Sequence, residues 1–256
     1  MKVLCFSDLH LDFDAVTTES IFLSSVARQV KIIAEDNNPD VIVVTGDIIC
    51  PRRLDRIFLL LNTIFGTEIP IIATLGNHEF WFRSFKEALE TLRIQKNKSA
   101  SNIHFLDIDG SFRTQGLNFV GGCLFFDGSM RVRENQKITP WNGWNDYLIR
   151  DIEQSYLEFN RYYVELIKSN MKPGMSTVLC THHVPHCKLN GHAPSHYSFY
   201  TGMRDLIHQL PFDHAYDNYL ICGHTHCRVI GEVIPNFMCV NVGSDYDKLE
   251  YYLLEI

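Results

Sequence analysis

Five short apolar runs recur along the chain: Val3-Leu4-Cys5-Phe6, Val41-Ile42-Val43-Val44, Ile71-Ile72-Ala73-Thr74-Leu75, Val178-Leu179-Cys180 and Leu220-Ile221-Cys222. Continuous runs this short, set between stretches of helical period, predict parallel strands buried on both faces. The helical stretches are Thr17 to Asp36, carrying Ile21, Phe22, Val26, Val30, Ile33 and Ala34 and stopped by Asn37-Asn38-Pro39; Leu54 to Phe65; and Phe82 to Gln95. A β-α-β-α-β-α order of this kind builds a right-handed parallel sheet. From Ile103 to Phe126 the pattern shifts to short strands with turns at Asp109-Gly110 and Gln115-Gly116, which predicts antiparallel pairing at a sheet edge.

The stretch 127–170 is polar and aromatic, with Trp141 and Trp144 ahead of a long helix through Tyr156, Tyr163 and Ile167, and it reads as an insertion or cap in a single domain, 1–256. Residues 184–200 show neither period, as expected of a functional loop. Three last runs, Val229 to Ile234, Phe237 to Val242 and Leu249 to Ile256, predict a closing β-meander.

Composition narrows the function classes. At 256 residues and 46% hydrophobic content the chain can bury one large α/β core. A formal charge of −7 supplies no general field for a nucleic-acid backbone, so nucleic acid is not favoured as a partner. No apolar run approaches the roughly 20 residues that span a bilayer, and Met1-Lys2-Val3-Leu4 enters the first strand at once. The expectation is a soluble, cytoplasmic protein without membrane partners. Its eight cysteines include no C-x-x-C pair and several sit inside apolar strands, which suits small buried hydrophobes.

The chemistry lies directly after the five runs, where Asp8 with His10, Asp47, Asn77 with His78, His182, and His224 with His226 follow in turn. In parallel sheets ligands bind beyond the carboxyl ends of the strands, so these clusters are expected to converge. Residues two apart on an extended chain point the same way, which would aim Asp8 and His10, and again His224 and His226, at one ion. Five imidazoles, two carboxylates and an amide are too many ligands for one tetrahedral zinc and suit two ions of five or six coordination. Nitrogen and oxygen donors without thiolate favour manganese first, with iron, zinc or nickel as alternatives.

These clusters, as Asp8-Leu9-His10, Gly46-Asp47, Gly76-Asn77-His78-Glu79, Thr181-His182-His183-Val184-Pro185 and Gly223-His224-Thr225-His226, resemble the ordered blocks of the calcineurin-like metallophosphoesterase superfamily. A lone D-x-H is common, whereas the whole ordered set is specific. The resemblance implies a four-layer α-β-β-α sandwich, with two divalent ions and a small phosphorylated substrate. It assigns Asp8, His10, Asp47 and His226 to one ion and Asp47, Asn77, His182 and His224 to the other. It makes His78 the proton donor to the leaving oxygen, or a stabiliser of the phosphoryl group, with Glu79 orienting it. Glu79 is a departure, since many members carry Asp there. The implied reaction is hydrolysis of phosphomonoesters or phosphodiesters by in-line attack of metal-bound hydroxide.

Other residues stay open between two readings. His183 is a substrate contact or a packing residue; His186, His192 and His196 are solvated loop residues or substrate contacts; Arg204 is a surface cation or a phosphate ligand; Trp141 and Trp144 are core of the insertion or an aromatic lip. A nuclease of the same superfamily would need a basic track, for which only local pairs such as Arg131 and Arg133 are present. A non-catalytic scaffold would be expected to have lost ligands, and every one remains.

Overall fold

Side chains along the buried strands alternate between two cores, and that alternation sets the layers. In the computed structural model, which describes residues 1–11, 24–99, 102–136, 145–150, 152–246 and 248–256, Val3, Cys5, Val41, Val43 and Ile72 pack against Phe119, Val178, Cys180, Ile221 and Val240 in an inner core. Their neighbours Leu4, Phe6, Ile42, Val44, Ala73, Leu179 and Leu220 belong to a second cluster shared with the helices. A strand buried on both faces supplies alternate residues to each. Thr17, Ile21, Phe22, Trp141 and Trp144 lie outside the described residues.

One sheet has the order β11-β1-β2-β3-β4, with β1 (Lys2–Ser7), β2 (Val41–Thr45), β3 (Ile71–Thr74) and β4 (Ile103–Phe105) parallel and β11 (Tyr252–Glu255) antiparallel to β1. The other has the order β5-β6-β7-β8-β10-β9, with β6 (Leu117–Gly122), β7 (Ser176–Thr181), β8 (Asn218–Cys222) and β10 (Phe237–Asn241) parallel, edged by β5 (Ser111–Thr114) and β9 (Val229–Glu232). Helices α1 (Ser25–Asn37), α2 (Ile57–Phe65) and α3 (Phe85–Lys98) contribute to the core of the first sheet's outer side, and α5 (Ile152–Asn170) packs on β6. A single turn, α4 (Leu106–Asp109), joins the two sheets. This is the α-β-β-α arrangement expected. No helix among the described residues is long and apolar enough to cross a membrane.

Several boundaries differ from expectation for local reasons. Pro51 opens a 3-10 turn, Pro51–Arg56, so α2 begins only at Ile57. Ser84 and Glu87 form a reciprocal capping box that starts α3 at Phe85 rather than Phe82. The 103–126 segment is antiparallel only at the β5-β6 hairpin, whose turn residues Gln115 and Gly116 both have positive φ, as a two-residue hairpin requires. The closing strands do not form one meander: β9 and β10 stay in the second sheet, while β11 crosses to pair with β1. Within 127–170, read as an insertion, α5 buries Phe159, Tyr163 and Ile167 and serves as the outer layer over β6.

One buried carboxyl fastens these layers. Asp107, on α4, accepts from the backbone N–H of Leu75 beyond β3 (2.8 Å), of Cys123 beyond β6 (2.8 Å) and from the Tyr163 hydroxyl on α5 (2.7 Å). Burial pushes its carboxyl up to about 6 against the pull of those donors. The folded protein therefore holds a proton that the unfolded chain, titrating at the ordinary 3.8, has already released. The stability this proton contributes is complete below that ordinary value and is lost as pH rises toward the folded one. Relative to Asp107→Asn, which cannot titrate, the wild type should lose on the order of 3 kcal/mol between about pH 4 and pH 6. Urea unfolding of both proteins across that range measures it, and parallel stability curves would refute it.

Candidate active site

The ends of β1, β2 and β8 do not continue as extended chain. Asp8 (φ 51°), His10 (φ 40°), Asp47 (φ 48°), His224 (φ 71°) and His226 (φ 52°) all take the left-handed conformation. The expectation of extended D-x-H geometry is corrected here: the side chains converge because the backbone curls at both ends of each motif. Asp and His tolerate this region better than most residues, yet such backbones cost about 1–3 kcal/mol each and collect at functional sites. Cross-bonds hold them, from Asp8 N to the Gly46 carbonyl (3.1 Å) and from His10 N to the Asp47 carbonyl (2.9 Å).

Glycine is needed where the carboxylates press on backbone. A Cβ on Gly76 would stand 2.1 Å from Asp47 Oδ1, and one on Gly223 would stand 2.3 Å from Asp8 Oδ2. Glu79, fully buried, accepts from the N–H groups of Asp47 (3.1 Å), Ile48 (2.8 Å), Ile49 (2.8 Å) and Gly76 (2.6 Å). Its carboxylate is thus committed to the loops after β2 and β3. This corrects the expectation that Glu79 orients His78, which instead rests on Trp81, ring centroids 3.7 Å apart.

All seven expected ligand residues come together, and partners on their far sides fix how they point. The Thr45 carbonyl can only accept, so His182 Nδ1 donates to it (3.1 Å) and its Nε2 turns inward. In the same way His224 Nε2 donates to the Tyr200 carbonyl (3.0 Å), leaving Nδ1 inward, and His226 Nδ1 donates to Asp245 (2.9 Å), leaving Nε2 inward. Asn77 donates Nδ2 to Asp146 (2.7 Å), which turns Oδ1 inward. The inward atoms then meet: His182 Nε2 lies 2.9 Å from Asn77 Oδ1, 3.1 Å from His224 Nδ1 and 3.4 Å from Asp47 Oδ2. Beside them His226 Nε2 lies 3.6 Å from Asp8 Oδ1 and 3.5 Å from His10 Nε2. Asp8-His10-His226, Asp47-His182-His224 and His10-Asp47-His78 are each spaced to hold an ion.

The electrostatics follow from burial. It drives His10 down to about 4, lowers His78, and holds His224 well below the ordinary imidazole range. Burial opposes charge on His182 as well, but Asp47, Asp8 and the Thr45 carbonyl raise it to about 10, while Asp47 falls well below the carboxylate range chiefly through His182. Burial and Asp47 push Glu79 up to about 8.

A cavity of about 660 Å³ opens over the cluster, with Asp47, His78, Trp81, His192, Tyr197 and Tyr246 in its wall. Tyr246 stacks on His10 at 4.4 Å, so that among the described residues Trp81, Tyr197 and Tyr246 supply aromatic wall. His192 lines the cavity and bonds the Thr225 carbonyl (2.6 Å), whereas His183 is fully buried and packs on His224 and Phe125. Arg204 is tied to the Ser129 carbonyl (3.0 Å). His186, with Asp205 and His208, forms a separate cluster, but its Nδ1 accepts from Lys188 N (3.2 Å), which leaves the ring proton on Nε2. Asp146, Asp245 and Tyr246 escaped the sequence reading, because no motif or period marks them.

Comparison with known proteins agrees with this geometry. The model of the calcineurin-like phosphoesterase family matches residues 1–228. The chain is 32% identical over 82 residues to the UDP-2,3-diacylglucosamine pyrophosphatase LpxG of Chlamydia muridarum, covering 31% of this chain and 23% of that protein. It is 29% identical over 82 residues to LpxG of Chlamydia trachomatis, with the same coverage. The matched segment is thus under a quarter of the length of these curated relatives. In fold, the chain is similar to phosphopantetheinyl hydrolase from Mycobacterium tuberculosis, with a TM-score of 0.66 at 14% identity over 99% of this chain and 96% of that one. It is similar also to TT1561 of Thermus thermophilus, with a TM-score of 0.54 at 13% identity over 95% and 89%. With that family model spanning all five ligand-bearing strand ends, the chain belongs to the calcineurin-like phosphoesterase family.

Proposed function

We propose that the chain is a dinuclear-metal phosphoesterase acting on small phosphomonoesters or phosphodiesters. The observation that carries this reading is the set of nitrogen and oxygen atoms facing one another in the cluster. His182 Nε2, His224 Nδ1, Asn77 Oδ1 and Asp47 Oδ2 converge with their far sides already bonded, and without an ion the second proton that His182 keeps up to about 10 sits on Nε2 among the other three. A metal cation would take the place of that proton, and mixed imidazole, carboxylate and amide donors suit manganese, with iron, zinc or nickel as alternatives.

Asp8, His10, Asp47 and His226 would hold one ion and Asp47, Asn77, His182 and His224 the other, Asp47 offering an oxygen to each. Ions bound there supply Lewis acidity and lower the pKa of water to the neutral range. His78 Nε2 stands 3.6 Å from Asp47 Oδ2, its ring packed on Trp81 and partly open to the cavity. That is the position for donating a proton to the departing oxygen or a hydrogen bond to the phosphoryl group. Glu79 acts behind the site, holding the loop that carries Asp47. Among the described residues the cavity over the cluster is walled by no lysine or arginine and the adjoining pocket beside His10 adds one, Arg52, short of the basic track a nucleic-acid strand would need, which favours a small substrate. The curated relatives' name, a pyrophosphatase of a nucleotide sugar, makes phosphoanhydrides worth testing as substrates.

Two results are expected. Turnover of a small chromogenic ester should vanish on chelation and return with manganese; equal turnover of chelated and manganese-loaded protein would overturn the reading. Elemental analysis should find both ions depleted in Asp47→Asn and both retained in His78→Ala, with kcat of the latter down by roughly 10²–10⁴. Full manganese content in Asp47→Asn would remove that residue from the shared position.

A further inference from the structure

Asp146 sits on a short 3-10 turn, Asn145–Leu148, far in sequence from every expected ligand, yet it is fully buried. The segment that carries it is laced to the chain after His78. Phe82 N donates to the Leu148 carbonyl (2.8 Å), Arg150 N donates to the Arg83 carbonyl (2.9 Å), and Arg150 pairs with Glu87 (2.9 Å). Phe82 itself is held at φ 64°, a costly backbone for a bulky residue, and its bond to Leu148 helps to hold it there. Asp146 is therefore rigidly placed, and its Oδ1 accepts from both Asn77 Nδ2 (2.7 Å) and the Trp81 indole N–H (3.2 Å).

An amide, like an imidazole ring, could point either way. Turned as found, Asn77 offers its oxygen to the centre of the cluster, 2.9 Å from His182 Nε2; turned over, it would offer N–H groups, which cannot bind a cation. A backbone carbonyl settles the same question for His182 and His224, whereas Asn77 depends on a side chain from the 127–170 stretch. We infer that Asp146 is a positioning residue that fixes the amide of Asn77 for metal binding. The inference rests on the dinuclear reading above. Because the bonded oxygen is shared with Trp81, on which His78 rests, the same carboxylate registers the ligand against the wall of the site.

Manganese titration of the metal-stripped full chain tests this without reference to turnover. Asp146→Ala should weaken binding of one of the two ions by about 10–100-fold, and Asp146→Asn, which keeps an acceptor oxygen, should recover most of that loss. If Asp146 acts through Asn77, the double variant Asp146→Ala/Asn77→Ala should bind no more weakly than Asn77→Ala alone. Asp146→Leu, close in volume and without an acceptor, gives the same comparison should the alanine variant not fold. Additive losses in the double variant, or wild-type affinity in both Asp146→Ala and Asp146→Leu, would overturn the inference. A wild type that binds no manganese would instead overturn the dinuclear reading beneath it.

Discussion

The carboxylate of Glu79 bonds the ends of two parallel strands at once, and most of the site's geometry depends on it. Four backbone N–H groups, three after β2 and one after β3, aim at its two oxygens. Hydrogen bonds of this kind contribute about 0.5–1.5 kcal/mol each, and any of these donors left bare in the interior would cost about 1–3 kcal/mol. With these bonds made, the Asp47 loop can leave β2 through a left-handed residue and still have its amides satisfied. The carboxylate of Asp47 then comes down against Gly76, where a Cβ would stand 2.1 Å from Oδ1. Aspartate at position 79 would be one methylene shorter and would reach the same four donors only if the two loops moved closer together.

Glu79 also shows what was legible in the sequence and what was not. The strand runs, the ligand clusters that follow them and the α-β-β-α layering could be read from period and spacing together with the family resemblance, because buried strands and glycine-flanked motifs leave local traces. The task of Glu79 could not. Its neighbour in sequence is His78, and only the fold reveals that its carboxylate turns toward Ile48 and Ile49. The extended geometry expected for Asp8-Leu9-His10 failed for a related reason, since a left-handed turn at a non-glycine residue is imposed by contacts far away in sequence. Of the last three strands, period located each one, but nothing in β11 states that its partner is β1 and not β10.

The side chains that orient the cluster were the least visible. Thr45 and Tyr200 act through carbonyls that every residue possesses, so their identities carry no signal. Asp245 and Asp146 act through carboxylates, but as single aspartates in polar stretches they resemble solvated residues until burial and partner are known. The ligands of a metal site must be particular residue types, whereas their supports need only supply an acceptor in the right place. Motifs therefore record the inner part of such a site and omit the part that gives it direction.

The five clusters, separate in sequence, are one mechanical unit. Asp8 N bonds the Gly46 carbonyl, His10 N bonds the Asp47 carbonyl, His224 N bonds the Asp8 carboxylate (2.9 Å), and Gly223 N bonds the His182 carbonyl (3.1 Å). Asp47 N bonds Glu79, and His78 N bonds Asp47 Oδ1 (3.0 Å). Asp8, His10, Asp47 and His224 are thus each restrained by a neighbour from another cluster, and the restraints run from β1 through β2, β3 and β7 to β8. Strain stored at one position is held by bonds made at the next, so the cost of these four left-handed residues is borne collectively by the cross-bonded strand ends, while Asp245 holds the fifth, His226. Residues coupled in this way do not contribute independently. Loss of one restraint loosens the next, which is a physical reason for the blocks to occur as a complete ordered set.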